Sequence, residues 1–361
     1  MKVGKRFLVL TLMLGLCILV HIFSRHTELV ERLYSNGFYK SFSFGLRKIS
    51  GLIPISIGDV LYAGVFLWLL WKIGRRLKNL LVKKRIKPEN NRGSVMYRAF
   101  ITLSALYLVF NIFWGINYNR RGIASQLGLK LEKYSVGELQ ELNCLLQAKV
   151  VASKQILEAR QSVYPDNQQL FKKVTEAYEN AGKKYPFLAY KPPSMKSSMW
   201  GWLGNYMGFT GYYNPFTGEA QVNTSVPRFL QPFIACHEGG HQAGYAKEQE
   251  ANFVAYLAGS VSPDPLFHYS VYLDLFVYAN RNLYRIDSAS AKLYVKDLGP
   301  AVLKDLKEWR DFNRRHRSWL EPVFRLLYGV FLRGNQQPAG LLSYDEVTGF
   351  MIAYYKKFGR I

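Results

Sequence analysis

Three apolar runs in the first third of the chain limit what it can fold into more than any other feature. Phe7–Phe23 is apolar but for Thr11 and His21; Ile53–Trp71 carries one charge, Asp59, near its start; Ala99–Ile116 carries none. They run 17, 19 and 18 residues, at the short end of what crosses ~30 Å of hydrocarbon. Inside a bilayer each backbone group must find its partner within the segment, so the runs are expected to be helices. Trp68, Trp71, Trp114 and Tyr118 stand near their ends, where amphipathic rings favour the interface. No clean small-x-small site follows Gly15, so Phe7–Phe23 reads as a retained span rather than a cleaved signal peptide. Residues 1–118 are therefore read as a membrane anchor with three transmembrane helices (7–23, 53–71 and 99–116).

Charge orients the anchor. The chain carries 48 Lys and Arg against 25 Asp and Glu, and 18 of the former against 4 of the latter fall within residues 1–118. The linker between the second and third runs holds ten (Lys72, Arg75, Arg76, Lys78, Lys83, Lys84, Arg85, Lys87, Arg92 and Arg98), and Lys2, Lys5 and Arg6 lead the chain. By the positive-inside rule both segments are cytoplasmic. The expectation is a multi-pass protein of the cytoplasmic (inner) membrane whose C-terminal domain is extracytoplasmic. The basic excess is then a property of the anchor, with the lipid bilayer as partner. No base-reading module is present, so no nucleic-acid partner is expected. Asp59 is expected at the outer interface, in a Pro54–Asp59 segment that caps the second span.

Residues 119–361 are long enough for one domain with its own core. Helical periodicity runs through Val136–Val163 and Gln168–Lys184. Tyr185–Asn223 reads as strands and turns, with Glu219–Thr224 a short strand. Beyond Pro265 the pattern is helical again, over Leu266–Ile286, Gly299–Trp319, Leu320–Leu332 and Tyr344–Phe358. The last is expected to begin with a capping box, Ser343-x-x-Glu346. Val323–Leu332 is too short for a fourth span and carries Arg325, so it reads as a buried helix. The fold class is α+β, helix-dominated with a small sheet. Cys17, Cys144 and Cys236 are expected to form no disulfide: Cys17 lies within the first run and Cys236 on a buried helix.

The chemistry concentrates at His237-Glu238-Gly239-Gly240-His241, an HExxH motif that takes two of only six histidines. Histidines four apart project from one face of a helical turn and can share a Zn²⁺ ion. Glu238 beside them is placed as the catalytic residue, taking a proton from activated water and passing it to a leaving group. Gly244 is where the helix is expected to end, its φ freedom letting the chain turn back. A third ligand then comes from Glu248 or Glu250. Glu248 is favoured because Glu248-x-x-Ala251-Asn252 resembles the E-x-x-[AS]-[DN] element of gluzincins, in which the residue matching Asn252 orients a ligand histidine. Gly239 and Gly240 each cost a helix interior ~1 kcal/mol against alanine, so close backbone approach is expected there, as from a neighbouring strand. The glycine- and aromatic-rich Trp200–Asn223 stretch leads into Glu219–Thr224, expected as an edge strand along a substrate cleft.

The three-span N-terminal third, Pro215–Ala220, His237–His241 and Glu248–Phe253 together resemble a family of uncharacterised bacterial inner-membrane proteins. That family, catalogued as a domain of unknown function, is similar to zinc metallopeptidases of the gluzincin type. The resemblance implies a zincin-like domain over 119–361 with zinc as cofactor, and it names no substrate. Gly239-Gly240 departs from the Ala or Leu often found there. The resulting expectation is a membrane-anchored zinc metallopeptidase, a hydrolase acting on a peptide or protein at the outer membrane face. The alternative is a non-catalytic zincin-like module that binds or senses in the cell envelope. His268, Tyr269 and Tyr245 are candidate oxyanion donors.

Overall fold

The computed structural model describes residues 2–81, 92–190 and 193–361. Lys83, Lys84, Arg85 and Lys87 of the basic linker lie outside the described residues. The N-terminal helices are α1 (Lys2–Ser24), α2 (Thr27–Leu29), α3 (Tyr39–Ser50), α4 (Ile57–Leu81) and α5 (Arg92–Phe113). Segments of α1, α4 and α5 (Gly4–Ser24, Ile57–Asn79 and Gly93–Phe113) are long and apolar enough to cross a membrane, and nearly all their side chains face outward. The expected boundaries shift in two places. Ile53–Ser56 precede the second helix rather than belonging to it, because Pro54 lacks an N–H and disfavours helix at the residue before it. The third helix stops at Phe113, and Gly115–Asn119 forms a buried 3₁₀ turn instead of its last turn.

The link between α1 and α4 is itself helical. Thr27–Ser50 runs through α2, a π-wound stretch at Val30–Phe38 and α3. Its inner face joins a small core of Val30, Tyr34 and Tyr39 with Trp114, Ile116, Tyr118 and Ala246. Tyr34 donates its hydroxyl to the Ile112 carbonyl at 2.8 Å, fastening this link to the end of α5.

The rest of the chain supplies α6 (Gly122–Leu127), α7 (Val136–Ala159), α8 (Asn167–Lys184), α9 (Gly201–Met207), α10 (Gln231–Gln242), α11 (Glu248–Gly259), α12 (Pro265–Tyr284), α13 (Ser288–Lys296), α14 (Pro300–Arg315), α15 (Leu320–Gly334) and α16 (Val347–Phe358). Capping boxes start α7 (Ser135 with Glu138) and α8 (Asp166 with Gln169), each satisfying two otherwise orphaned N–H groups. The box expected at Ser343 and Glu346 does not form. A 3₁₀ turn at Gly340–Glu346 precedes α16, which lacks a side-chain cap. Leu139, Leu142 and Leu146 of α7 join Phe253 and Tyr256 of α11, Phe276 of α12 and Met351 of α16 in one large core.

Three short strands, β1 (Met195–Ser197), β2 (Gly211–Asn214) and β3 (Glu219–Val222), form a sheet in the order β1-β3-β2. β3 pairs parallel with β1 and antiparallel with β2, Tyr212 opposite Gln221. The expected edge strand is therefore the central one: both its edges are taken, and β1 and β2 are the rim strands. Glu219 at its start is fully buried and accepts the backbone N–H groups of Ile57 and Gly58 at 3.1 and 2.6 Å. It thereby caps the first turn of α4. Asp59 in that turn accepts from the Met199 N–H at 2.7 Å and from the Tyr212 hydroxyl. The sheet is pinned to the domain-side end of α4.

Val323–Leu332 corrects the reading of a buried helix. The segment is helical within α15, but Val323, Phe324, Leu326, Leu327, Val330 and Phe331 are all exposed, and only its other face packs inward. Arg325 argued against a span; it said nothing about which face the protein covers.

Candidate metal centre

α10 carries the motif. Pro232 sits near its N-terminus, where its missing N–H costs nothing. Its C-terminus closes as a Schellman motif: the Tyr245 N–H bonds the Gly240 carbonyl at 3.1 Å and the Gly244 N–H bonds that of His241 at 2.9 Å. Gly244 takes φ +92°, a left-handed conformation that glycine adopts without steric cost. The remaining orphan carbonyls at this end go to two buried arginines. Arg47 of α3 donates to the Gln242 carbonyl and Arg120 to that of Gly244, each at 3.1 Å. Arg120 also forks onto Glu31 at 3.0 and 2.7 Å. Both cations complement the negative end of the helix dipole, so residues before 121 take part in fixing the motif.

Gly239 and Gly240 are explained by close approach, but not from a strand. A Cβ at Gly239 would lie 2.6 Å from the Tyr178 ring and 3.0 Å from the Tyr190 hydroxyl. At Gly240 the neighbours are Val254 and Ala251 of α11, at 3.3–3.4 Å. Helix α11 thus packs directly on α10, and its first residue swings back to the histidines.

His237, His241 and Glu248 converge, with one ligand atom from each lying within 4.8 Å of the others. Glu248 Oε2 is 3.2 Å from His237 Nε2 and 3.5 Å from His241 Nε2. The far side of each imidazole is held: His237 Nδ1 is 2.7 Å from Asn252 Oδ1, and His241 Nδ1 is 2.7 Å from the Tyr245 carbonyl. Both acceptors require a proton on Nδ1, which turns the Nε2 lone pairs towards each other and towards Glu248. Burial opposes a charge on His241, but the Glu248 carboxylate outweighs it and lifts that imidazole's pKa to about 9 in the metal-free chain. Glu250 lies elsewhere. Its carboxylate packs against Gly122, caps the Ile123 N–H at the start of α6 and faces Arg120.

Glu238 is buried with no hydrogen-bond partner on Oε2, and Gly211 of β2 packs against its carboxylate so closely that a Cβ there would overlap Oε1. Burial raises its pKa to about 7, although His237 and His241 pull it down. A carboxyl poised there gains and loses a proton easily near neutral pH.

None of the expected oxyanion donors reaches the centre. Tyr269 donates to Asp305 and Tyr245 to Gln126, while His268 has an environment set by Ser262, Asp264 and Lys149. Other residues surround the three ligand side chains. Tyr328 of α15 donates to Glu248 Oε1 at 2.5 Å, Tyr344 donates in turn to Tyr328, and the Tyr344 ring stacks on His237 with centroids 6.1 Å apart. Trp114, just past α5, meets the His241 ring edge-on at 6.1 Å. The Gln337 side chain accepts the Glu248 N–H at 2.9 Å, standing in for a missing N-cap. No local motif marks these residues; the fold alone brings them together, Tyr328 from α15, Gln337 and Tyr344 from the segment after it and Trp114 from the end of α5.

The donor set fits a metal ion. Two imidazole nitrogens and one carboxylate are the ligand set of hydrolytic zinc sites that leave a position open. Glu248 Oε2 is buried, and among the described residues no donor other than the two imidazole Nε2 atoms it faces reaches it, although poorly matched buried carboxylate oxygens are costly. A cation between the three groups would satisfy it.

A family model described as "Protein of unknown function (DUF3810)" matches residues 34–352, and the chain belongs to that family. No curated protein and no solved structure matches it.

Proposed function

We propose that this DUF3810 member is a zinc-dependent peptidase anchored in the cytoplasmic membrane, with His237, His241 and Glu248 as metal ligands and Glu238 as proton shuttle. The observation that carries the reading is the convergence of two oriented imidazoles on a buried carboxylate, with a second buried carboxyl beside them. Glu248 faces both Nε2 atoms, and Glu238 has no hydrogen-bond partner on Oε2. A purely structural ion would explain Glu248 but leaves Glu238 without a role.

Zinc, when bound, supplies Lewis acidity to the attacking water and to the scissile carbonyl. Glu238 takes a proton from that water and delivers it to the departing amide nitrogen. Tyr328, with Tyr344 behind it, steadies Glu248 through its hydroxyl. β2 has a free edge beside Glu238, where an extended peptide can add as a strand. The basic linker and the three helices that can span support an outer-face location for this site.

The test is Glu238→Gln in the full chain, with zinc content and turnover of an unstructured model protein measured together. The variant should keep its zinc and lose hydrolysis by about 10²–10⁴-fold, the reach of general acid–base catalysis. Intact turnover would remove the shuttle role. Zinc in both proteins with turnover in neither would favour the binding or sensing module.

A further inference from the structure

We propose that α15 lies in the plane of the membrane interface with its apolar face in the acyl region, so that the metal site opens at the lipid headgroup level. The placement does not depend on whether the site turns over substrate. On a helical wheel Leu326, Val330, Val323, Leu327, Phe331 and Phe324 follow one another around a single arc, and all are exposed, Leu326 at 65% and Leu327 at 60%. Trp319, at the start of the helix and on the same arc, is 79% exposed. An apolar face of this size on water-exposed protein needs an occupant.

Continuity with α5 identifies it. The Phe331 ring lies 6.0 Å from that of Phe110 and 6.2 Å from that of Tyr118. Phe110 is three residues short of the end of α5, within its last turn. If α5 spans a bilayer, α15 is held at the depth of that turn, and its outward face meets lipid. Helix α9 adds a second element at this level. Trp202 and Tyr206 are exposed on it, the Ser318 hydroxyl bonds the Tyr206 carbonyl at 2.5 Å, and Trp200 Nε1 bonds the Asp59 carbonyl in the first turn of α4 at 3.4 Å. Exposed Trp and Tyr beside the ends of two candidate spans form an interfacial belt. Arg333 stands beside the arc with its guanidinium at Gly340, and Arg325 lies on the opposite side, paired with Glu321 at 3.4 Å. The inward face of the same helix delivers Tyr328 to Glu248. A bilayer that seats α15 therefore also seats one wall of the site, and the chains best placed to enter are segments lying at the membrane surface.

The test uses the full chain with Cys17, Cys144 and Cys236 replaced, reconstituted in liposomes of mixed zwitterionic and anionic lipid. Nitroxide labels go singly at Leu326→Cys and Val330→Cys, with Leu327→Cys on the same arc as reserve. Leu103→Cys on α5 is the lipid reference and Lys307→Cys on α14 the aqueous one. Collision with oxygen, which partitions into lipid, is compared with collision with a water-soluble nickel chelate. The proposal predicts that 326 and 330 behave like 103, with high oxygen and low nickel accessibility. Behaviour like 307 would place the face in water, and shielding from both reagents would show that protein, such as a second copy, covers it; either result overturns the proposal.

Discussion

Adjacent glycines of the motif should respond to the same substitution in different ways, and the difference measures how tightly α10 is boxed in. Both lie in the last turns of a helix, where Gly→Ala gains ~0.5–1 kcal/mol of backbone propensity. At Gly240 the new methyl meets Val254 and Ala251 at 3.3–3.4 Å, a gap that a shift of a few tenths of an ångström absorbs. Gly240→Ala should therefore leave stability within about 1 kcal/mol of wild type. At Gly239 the methyl would sit 2.6 Å from the Tyr178 ring. That ring cannot yield, because Tyr178 is fully buried and its hydroxyl is held on the Cys236 carbonyl at 2.5 Å. Overpacking costs ~1–3 kcal/mol, more than propensity returns, so Gly239→Ala should be the less stable by about 1–2 kcal/mol. Thermal unfolding of both variants in one detergent, followed by intrinsic fluorescence with and without zinc, gives the ordering. Equal melting temperatures, or a more stable Gly239→Ala, would refute the claim that Tyr178 fixes this face.

Further outcomes follow from the ligand geometry and the charge pattern. Glu248→Gln should weaken zinc binding about tenfold or more, whereas Glu250→Gln, altered only at the α6 cap, should leave it nearly unchanged; equal losses in zinc titrations would show that the ligand is misassigned. Because the metal-free His241 holds its proton up to a pKa of about 9, zinc must displace that proton at lower pH. Apparent affinity should therefore rise by up to about tenfold per pH unit from 7 towards 9 and then level off, and a flat profile would contradict the His241–Glu248 coupling. A reporter active only outside the cytoplasm, fused after Ile361, should be active; activity of a cytoplasm-only reporter there would overturn the topology.

What could be read in advance was whatever rests on short spacing. The His237–His241 pair, the turn at Gly244, Glu248 and the Asn252 contact follow from helical geometry within a span of 16 residues. Most helices after residue 135 follow from periodicity, with starts set by caps such as Ser135 and Asp166, but α9 lies inside the stretch read as strands and turns and α13 between two expected helices. The remainder depends on contacts between distant segments. Tyr328 and Tyr344 lie about 80–100 residues beyond Glu248 and reach it only through the fold. Arg47 and Arg120, read as parts of an anchor and its boundary, hold the end of the motif helix. Strand order was equally hidden, since four residues of β3 look the same whether one or two neighbours pair with them. The exposed face of α15 escaped because an apolar stripe calls for burial, and lipid serves that end as well as protein.

The central claim is that His237, His241 and Glu248 hold a zinc ion, and metal content tests it most directly. The full chain is required, because Arg47, Arg120 and Trp114 lie against the site. Purified in detergent, loaded with zinc and dialysed against metal-free buffer, wild type should retain stoichiometric zinc and His241→Ala essentially none. Wild type without retained metal, or a His241→Ala protein that keeps as much as wild type, would contradict the account.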